Sequence, residues 1–258
     1  MTDSQIKTYS NYGRSAFIYD SYIPQADYAE GARRLVALVL KHNPAAHSLL
    51  DAGCGSGKYL ENLQHAFACE GLDISDGFLD IARKRCPAVH IHKGDMTSFD
   101  LGRTFDAISC LFLAIAYVRT VENMEKAVAC LARHLNPGGV LCIEPWIYPE
   151  MFWENRLTSE YVDEADRKIS RMFIARREGK LSIYDIHYLV GTSDGIEYFI
   201  EREELGLFTH AQYMGAFEKA GLQAAHDGKA GLFDAHNIGM YWGKKDVRDR
   251  STEPVLRR

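Results

Sequence analysis

The run Asp51-Ala52-Gly53-Cys54-Gly55-Ser56-Gly57 is the segment of this 258-residue chain best suited to chemistry. It follows the short apolar run Ser48-Leu49-Leu50 and precedes Lys58-Tyr59-Leu60-Glu61-Asn62-Leu63, whose spacing is helical. The expected order is therefore strand, tight glycine turn, helix. Glycines permit positive φ and leave backbone bare for a ligand, and a helix start presents unpaired N–H groups. Spacing narrows the ligand. A dinucleotide fingerprint has the form G-x-G-x-x-G and cradles a pyrophosphate, whereas Gly53, Gly55 and Gly57 stand as G-x-G-x-G behind an acid. Asp51 would repel a pyrophosphate and attract a cationic ligand.

The elements that must position this loop follow from the rhythm of the chain. Tyr28 to Lys41 reads as a helix, His47–Ala52 as a strand, Lys58–Phe67 as a helix and Ala68–Asp73 as a second strand. Ser75 or Asp76 can cap the next helix, with Phe78, Leu79 and Ala82 on its apolar side. Val89–His92 is a short third strand, and the almost unbroken apolar run Phe105–Phe112 a buried fourth. Glu122–His134 is an amphipathic helix, Asn136-Pro137-Gly138-Gly139 a turn and Val140–Glu144 a fifth strand. This alternation predicts an α/β fold with a doubly wound, Rossmann-like, mostly parallel sheet. Lys168–Arg176, Leu181–Val190 and Ile196–Leu205 then succeed one another without helices, as an antiparallel β insertion forming a lid. A helix over Ala211–Ala220 and strands near Leu222–His226 and Asn237–Trp242 resume the first pattern. The expected division is an N-terminal cover (1–26), a ligand-binding domain (27–145 and 207–243), a lid (146–206) and a disordered charged tail from Lys244.

Bulk properties remove several classes of function. A net charge of −5 offers no basic footprint for a nucleic acid. The longest apolar run, Ala107 to Val118, is too short for a bilayer and contains Ser109. The polar start shows no signal peptide. Cysteines 54, 69, 86, 110, 130 and 142 form no CxxC pair, so free thiols in a cytoplasmic protein are expected and no metal site. The partner implied is a small molecule, on a monomer or a homodimer.

Ligands of open α/β sheets lie at the carboxyl ends of the strands, so the residues ending each strand belong together. Gly71-Leu72-Asp73-Ile74-Ser75 ends the second strand, where a carboxylate can accept from vicinal ribose hydroxyls. Gly94-Asp95-Met96 follows the third, where Asp95 can accept from an adenine amino group while Ile74 and Met96 hold the faces of the ring. Taken together, Asp51–Gly57, Gly71–Ser75, Gly94–Met96 and the Asn136–Gly139 turn resemble the motifs of class I S-adenosylmethionine (AdoMet) methyltransferases. The resemblance implies AdoMet as cofactor, S-adenosylhomocysteine as product and no metal. It sets Asp51, Gly53, Cys54, Gly55 and Gly57 near the methionine part, Asp73 at the ribose and Asp95 at the adenine, with Tyr19 and Leu111 completing the cofactor side.

The likeness extends further. Glu144-Pro145-Trp146-Ile147-Tyr148-Pro149-Glu150, Asp185-Ile186-His187-Tyr188-Leu189-Val190 and Leu207-Phe208-Thr209 before Gln212-Tyr213 are similar to bacterial N,N-dimethyltransferases of nucleotide-linked 3-amino deoxysugars. That subgroup implies an antiparallel lid and N-terminal tyrosines over the active site, for which Tyr9, Tyr12, Tyr19 and Tyr22 are the matching positions. Two departures stand out. The subgroup's Gly-Arg-Gly-Leu-Phe segment, whose Arg suits a nucleotide phosphate, has as its nearest equivalents Lys229-Ala230-Gly231-Leu232-Phe233 and Asn237-Ile238-Gly239-Met240-Tyr241, neither with the Arg. The small polar residues after the fourth strand are Leu113 and Ala114 here.

An amine acceptor must present a free lone pair, so a phenol, imidazole or carboxylate nearby could relay its proton. Tyr12, Tyr117 and His187 are the catalytic candidates. Tyr117 follows a strand end, although packing the base of the next helix is an equal use for it, and a structural role suits His187 at least as well. Tyr22, Trp146 and Tyr148 could wall the acceptor pocket or serve as core aromatics. The leading reading is methyl transfer to an amino nitrogen of a soluble small molecule, such as an amino sugar. An O-methyltransferase and a non-catalytic AdoMet-binding protein are the alternatives.

Overall fold

The alternation of apolar residues along each strand builds the core. In the computed structural model, which describes residues 7–23, 27–229 and 238–247, Leu49 and Leu50 lie fully buried on opposite faces of one strand. In chain order the elements are β1 (Thr8–Ser10), α1 (Tyr19–Tyr22), α2 (Tyr28–His42), β2 (Ser48–Ala52), α3 (Lys58–Leu63), β3 (Ala68–Asp73), α4 (Asp76–Arg85), β4 (His90–Lys93) and β5 (Phe105–Cys110). They continue with α5 (Val121–Arg133), β6 (Leu135–Ile143), β7 (Leu157–Asp163), β8 (Arg167–Glu178), β9 (Leu181–Thr192), β10 (Gly195–Gly206), α6 (His210–Lys219), β11 (Leu222–Asp227) and β12 (Met240–Lys245). Short 3₁₀ turns cover Ser15–Ile18 and Ala114–Val118.

Seven strands form one sheet in the order β11-β12-β6-β5-β2-β3-β4. β2 to β6 run parallel, and β12 and β11 are antiparallel additions. The connections reverse direction between β2 and β5, which sets the ligand crevice there. α2 and α3 cover one face through Leu35, Val39, Tyr59 and Leu63. α5 and α6 cover the other through Met124, Val128, Leu131, Tyr213 and Phe217. Helix starts are capped as their residue types allow. Asp27 accepts from Glu30 N, Thr120 from Asn123 N, and Thr209 with Gln212 closes a capping box on α6.

A second sheet, β1-β10-β9-β8-β7, holds the predicted hairpins. It also contains two strands not predicted from the sequence. β7 is largely exposed and its burial does not alternate. β1 is three residues pairing in parallel with Ile200–Arg202, too short for any periodicity to show.

Two other expectations change. Asn136-Pro137-Gly138-Gly139 lies inside β6 as an irregularity, between the pairings Phe105↔Leu135 and Ala107↔Val140. Asp106 holds it there. Its carboxylate accepts from Asn136 Nδ2 at 2.7 Å, from the His47 and Ser48 N–H groups at 3.0 Å and from Ser48 Oγ at 2.9 Å. The tail does not begin at Lys244, because Lys244 and Lys245 belong to β12. Their ammonium groups donate to His42 O and Ala132 O at the ends of α2 and α5, where a helix presents unpaired carbonyls, and to Leu135 O at the start of β6. Residues 248–258, the start and linker of the expected cover at 1–6 and 24–26, and positions 230–237 of the two Gly-Arg-Gly-Leu-Phe equivalents lie outside the described residues.

Partial burial pushes the Asp106 carboxyl up, but its hydrogen bonds outweigh this and hold it below its usual value. The resulting stabilisation is complete above the unfolded-state value of about 4 and fades as pH falls through the lower folded value. Asp106→Ala is expected to cost about 2 kcal/mol near neutral pH. Urea unfolding should show that deficit shrinking in acid.

Candidate active site

A cavity of about 620 Å³ opens at the carboxyl ends of β2, β3 and β5 and is lined by the glycine loop, Asp51, Asp73 and Asp95. The loop keeps its shape by local bonds. Gly53 N and Cys54 N donate to Leu72 O at 2.7 and 3.0 Å, and Gly57 N to Cys54 O at 3.0 Å. Gly53, Gly55 and Gly57 all have positive φ. A Cβ on Gly55 would meet nothing within 4 Å, so that bare backbone faces open space.

Two carboxylates frame the loop. Asp51 is 2% exposed, and burial pushes its carboxyl up to about 7 against the opposing bond from Ser109 Oγ at 2.7 Å. Asp73 accepts from Gly55 N at 2.8 Å and Ser75 N at 2.9 Å. Burial raises its pKa too, with those N–H donors opposing. A carboxylate has about four lone-pair sites, so Asp73 keeps capacity for hydroxyl donors. Asp95 Oδ1 accepts from the N–H and hydroxyl of Thr97 at 2.8 and 2.7 Å. Ile74 lines the cavity while 64% exposed, and Met96 lines it as well. An isoleucine that wet beside a carboxylate suits the face of a flat ligand.

The N-terminal segment closes over this loop. Asp20 accepts from Ser56 Oγ at 2.8 Å and from Arg85 Nη2 at 2.5 Å, while Arg85 Nη1 donates to Ser56 O at 2.6 Å. Tyr12 and Tyr19 both line the cavity and pack on Phe78, with ring centroids at 4.8 and 5.0 Å. The Tyr12 and Tyr117 hydroxyls share a short hydrogen bond. Both side chains are half-buried where they border the cavity, and desolvation raises both phenols well above their usual value. Asn11, Tyr12, Phe112 and Arg119 line the cavity with positive φ, a backbone strain that collects at functional sites. The Glu144 carboxylate pins one of these by accepting from Phe112 N at 2.8 Å.

Of the sequence-derived candidates, Tyr12, Tyr19, Asp51, Gly53, Cys54, Gly55, Asp73, Ile74, Asp95, Met96, Leu111 and Tyr117 line this one cavity. Gly57 does not, and caps α3 in the left-handed conformation instead. His187 does not line it either. The two-residue period of β9 buries Ile186 and Tyr188 and turns His187 to the exposed face, where Tyr198 OH lies 2.6 Å from its Nδ1. Three acceptor candidates are also displaced from the cavity wall. Trp146 donates to Ser182 Oγ at 3.2 Å, Tyr148 shares a bond with Tyr241 OH at 2.6 Å, and Tyr22 packs between Tyr19 and Tyr188. Tyr9 meets Phe199 edge-on in the second sheet.

Sequence reasoning missed Glu203, which accepts from Tyr117 OH at 3.1 Å. Its only signal was an acid at an inward position of a lid strand, in the run Glu201-Arg202-Glu203-Glu204 where charge reads as a solvated surface. Among the described residues no group of three or more His, Cys, Asp or Glu could hold a metal.

Residues 49–139 match the family model of a methyltransferase domain. The chain is 42% identical over 201 residues to the dTDP-4-amino-2,3,4,6-tetradeoxy-D-glucose N,N-dimethyltransferase of Saccharopolyspora spinosa, covering 78% of this chain and 81% of that one. It is 38% identical over 202 residues to the dTDP-3-amino-3,4,6-trideoxy-alpha-D-glucopyranose N,N-dimethyltransferase of Streptomyces venezuelae, covering 78% and 85%. Among solved structures it is similar to SAM-bound CalS10, an amino pentose methyltransferase of Micromonospora echinaspora. The TM-score is 0.74 at 36% identity, over 84% of this chain and 91% of that one.

The glycines differ in what they tolerate. A Cβ on Gly53, at φ +75°, would stand 2.6 Å from Ala114 Cβ. Gly53→Ala should therefore cost about 2 kcal/mol or more, and Gly55→Ala only the backbone strain of about 1 kcal/mol. Urea midpoints of the two variants check the order.

Proposed function

The chain belongs to the AdoMet-dependent sugar N-methyltransferases, and on that premise we propose that it methylates the amino nitrogen of a nucleotide-linked amino deoxysugar. The carrying observation is that one cavity is lined both by the carboxylate–glycine set and by the hydrogen-bonded phenol pair Tyr12–Tyr117.

The residues present fit the cofactor. AdoMet, when bound, supplies a methyl group on a cationic sulfur whose departing thioether needs no acid. The open backbone at Gly55, with Gly53 and Cys54, receives the methionine part, and Asp51 favours its positive charge. Asp73 accepts from the ribose hydroxyls and Asp95 from the adenine amino group. Ile74 and Met96 hold the ring, with Leu111 and Tyr19 alongside. Burial of Asp51 and Asp73 strengthens these contacts, because a cation in a poorly screened site feels a carboxylate far more than it would in water.

At the acceptor side, Tyr12 and Tyr117 orient the amine. Their phenols stay protonated at neutral pH, since burial raises both, so they act as hydrogen-bond donors and acceptors and not as phenolates. Holding the nitrogen in line with the methyl group can supply much of the acceleration. All six cysteines are free thiols, which suits a cytoplasmic enzyme. No helix among the described residues is long and apolar enough to cross a membrane.

The test uses AdoMet carrying a labelled methyl group, with dTDP-linked 3-amino and 4-amino deoxysugars and their hydroxyl counterparts as acceptors. Label on nitrogen is expected, and label on oxygen alone would overturn the proposal. Asp73→Ala should weaken AdoMet binding about tenfold to a hundredfold, as a charged hydrogen-bond acceptor is lost. Calorimetry that finds unchanged affinity removes Asp73 from the ribose site.

A further inference from the structure

Two acids stand on the inward face of β10, and their surroundings differ. Glu201 is engaged by backbone, accepting from the N–H groups of Arg14 and Ser15, each at 3.1 Å, so it serves to anchor the N-terminal segment. Glu203 is only 9% exposed, and the bond it receives comes from a phenol, Tyr117 OH at 3.1 Å. That phenol is in turn bonded to Tyr12 OH, and both tyrosine rings line the cavity, while Glu203 itself does not. The three groups form an unbroken chain of exchangeable protons from the cavity wall to a buried carboxylate.

We propose that Glu203 is the proton acceptor of the methyl-transfer reaction, drawing the amine's proton through Tyr12 and Tyr117 without touching the substrate. This rests on the assignment of the two phenols to the acceptor side of the cavity. An amino sugar reaches the site as an ammonium ion, whose nitrogen has no free lone pair. Its proton passes to a phenol oxygen while that phenol's own proton moves on toward Glu203. The carboxylate ends as a carboxylic acid, and the phenols are unchanged. The freed lone pair then forms the N–C bond as the methyl–sulfur bond breaks with its electrons left on sulfur. The product is a methylammonium, so each further methylation needs another deprotonation, and Glu203 must return its proton to solvent between transfers.

Charge around Glu203 suits that task. Burial raises its carboxyl to about 7, with Arg171 on β8 and the Tyr117 bond opposing the rise and Glu201 adding to it. Tyr12, Tyr19, Tyr22, Tyr184 and Tyr188 also face it, as neutral phenols. Arg171 is caged by aromatic rings, 4.2 Å from the centroid of Tyr22 and 5.3 Å from that of Phe173, and is held at 3.3 Å from Glu160. It is thus a nearby cation engaged by Glu160 and the aromatic rings, and tempers the Glu203 carboxylate without locking it ionised. A group with a pKa near the working pH transfers protons most effectively.

Glu203 therefore acts as a positioning and proton-accepting residue behind Tyr117, and the test must separate that role from simple packing. Glu203→Gln retains an oxygen that can accept from Tyr117 but cannot take up a proton at neutral pH. Expected for Glu203→Gln is a kcat about a hundredfold lower, with AdoMet affinity by calorimetry unchanged. The wild-type rate should fall as pH drops below about 7, and that limb should vanish in the variant. Tyr117→Phe, which keeps Glu203 and cuts the chain, should lose a similar factor, and the double variant should be no worse than either single one. Glu203→Asp should recover part of kcat together with the pH limb. Wild-type kcat and an unaltered pH profile in Glu203→Gln would overturn the proposal. So would additive losses in the double variant. If Glu203→Gln does not fold, a wild-type rate in Tyr117→Phe overturns it equally. The two readings fail separately. A wild type that methylates no amine removes the acceptor assignment and this proposal with it, whereas amine product with an unaltered variant removes this proposal alone.

Discussion

Burying carboxylates is costly, and the cavity is organised around two of them. Asp51 and Asp73 end adjacent parallel strands, and desolvation lifts both pKa values. A buried acid with few partners tends to neutralise itself by taking up a proton. Here Ser109, Gly55 and Ser75 supply donors, so that the remaining demand is for positive charge, which a sulfonium or ammonium ligand brings. The same bonds dictate local shape. Because Gly55 N is claimed by Asp73, the glycine loop is tied to the end of β3, and the opening between β2 and β3 has a defined width. Fold and ligand preference therefore share one cause.

The N-terminal segment depends on that frame from above. Its Asp20 is joined to Arg85 and Ser56, while Arg14 and Ser15 are held by Glu201. One stretch of chain thereby bridges the seven-stranded and five-stranded sheets. The Asp20–Arg85 pair is only about a quarter exposed and shares a hydroxyl and a carbonyl with the loop. Water screens it less than an open pair such as Lys93–Asp76. Aromatic packing completes the bridge, since Tyr12 and Tyr19 rest on Phe78 of α4 while Tyr22 rests on Tyr188 of β9.

The parts of this arrangement legible in the sequence were those governed by local rules. Asp51–Gly57 announced its turn through glycines, Ser75 announced a helix start, and Phe105–Phe112 announced a buried strand by its almost unbroken apolar character. What escaped was decided at a distance. Asn136–Gly139 has the residues of a turn, but Asp106, thirty positions earlier, folds it into β6. His187 and Glu203 sit in similar charged, alternating strands, and their roles separate only once strand register shows which side each faces. β1 could not be seen at all, because its partner lies about 190 residues away and its own three residues carry no periodicity.

That last pairing constrains how the molecule comes into being. β1 precedes β10, its sheet neighbour among the described residues, by about 190 positions in the chain. Loop closure over such a span is entropically expensive until the intervening chain is itself folded. On a ribosome, the glycine loop and the strands around it can therefore assemble while the N-terminal tyrosines still wait in solution. The cover's attachment to the second sheet forms only after residues 200–202 have emerged, so the nascent chain possesses a floor for its ligand well before its reaction chamber is fastened on both sides.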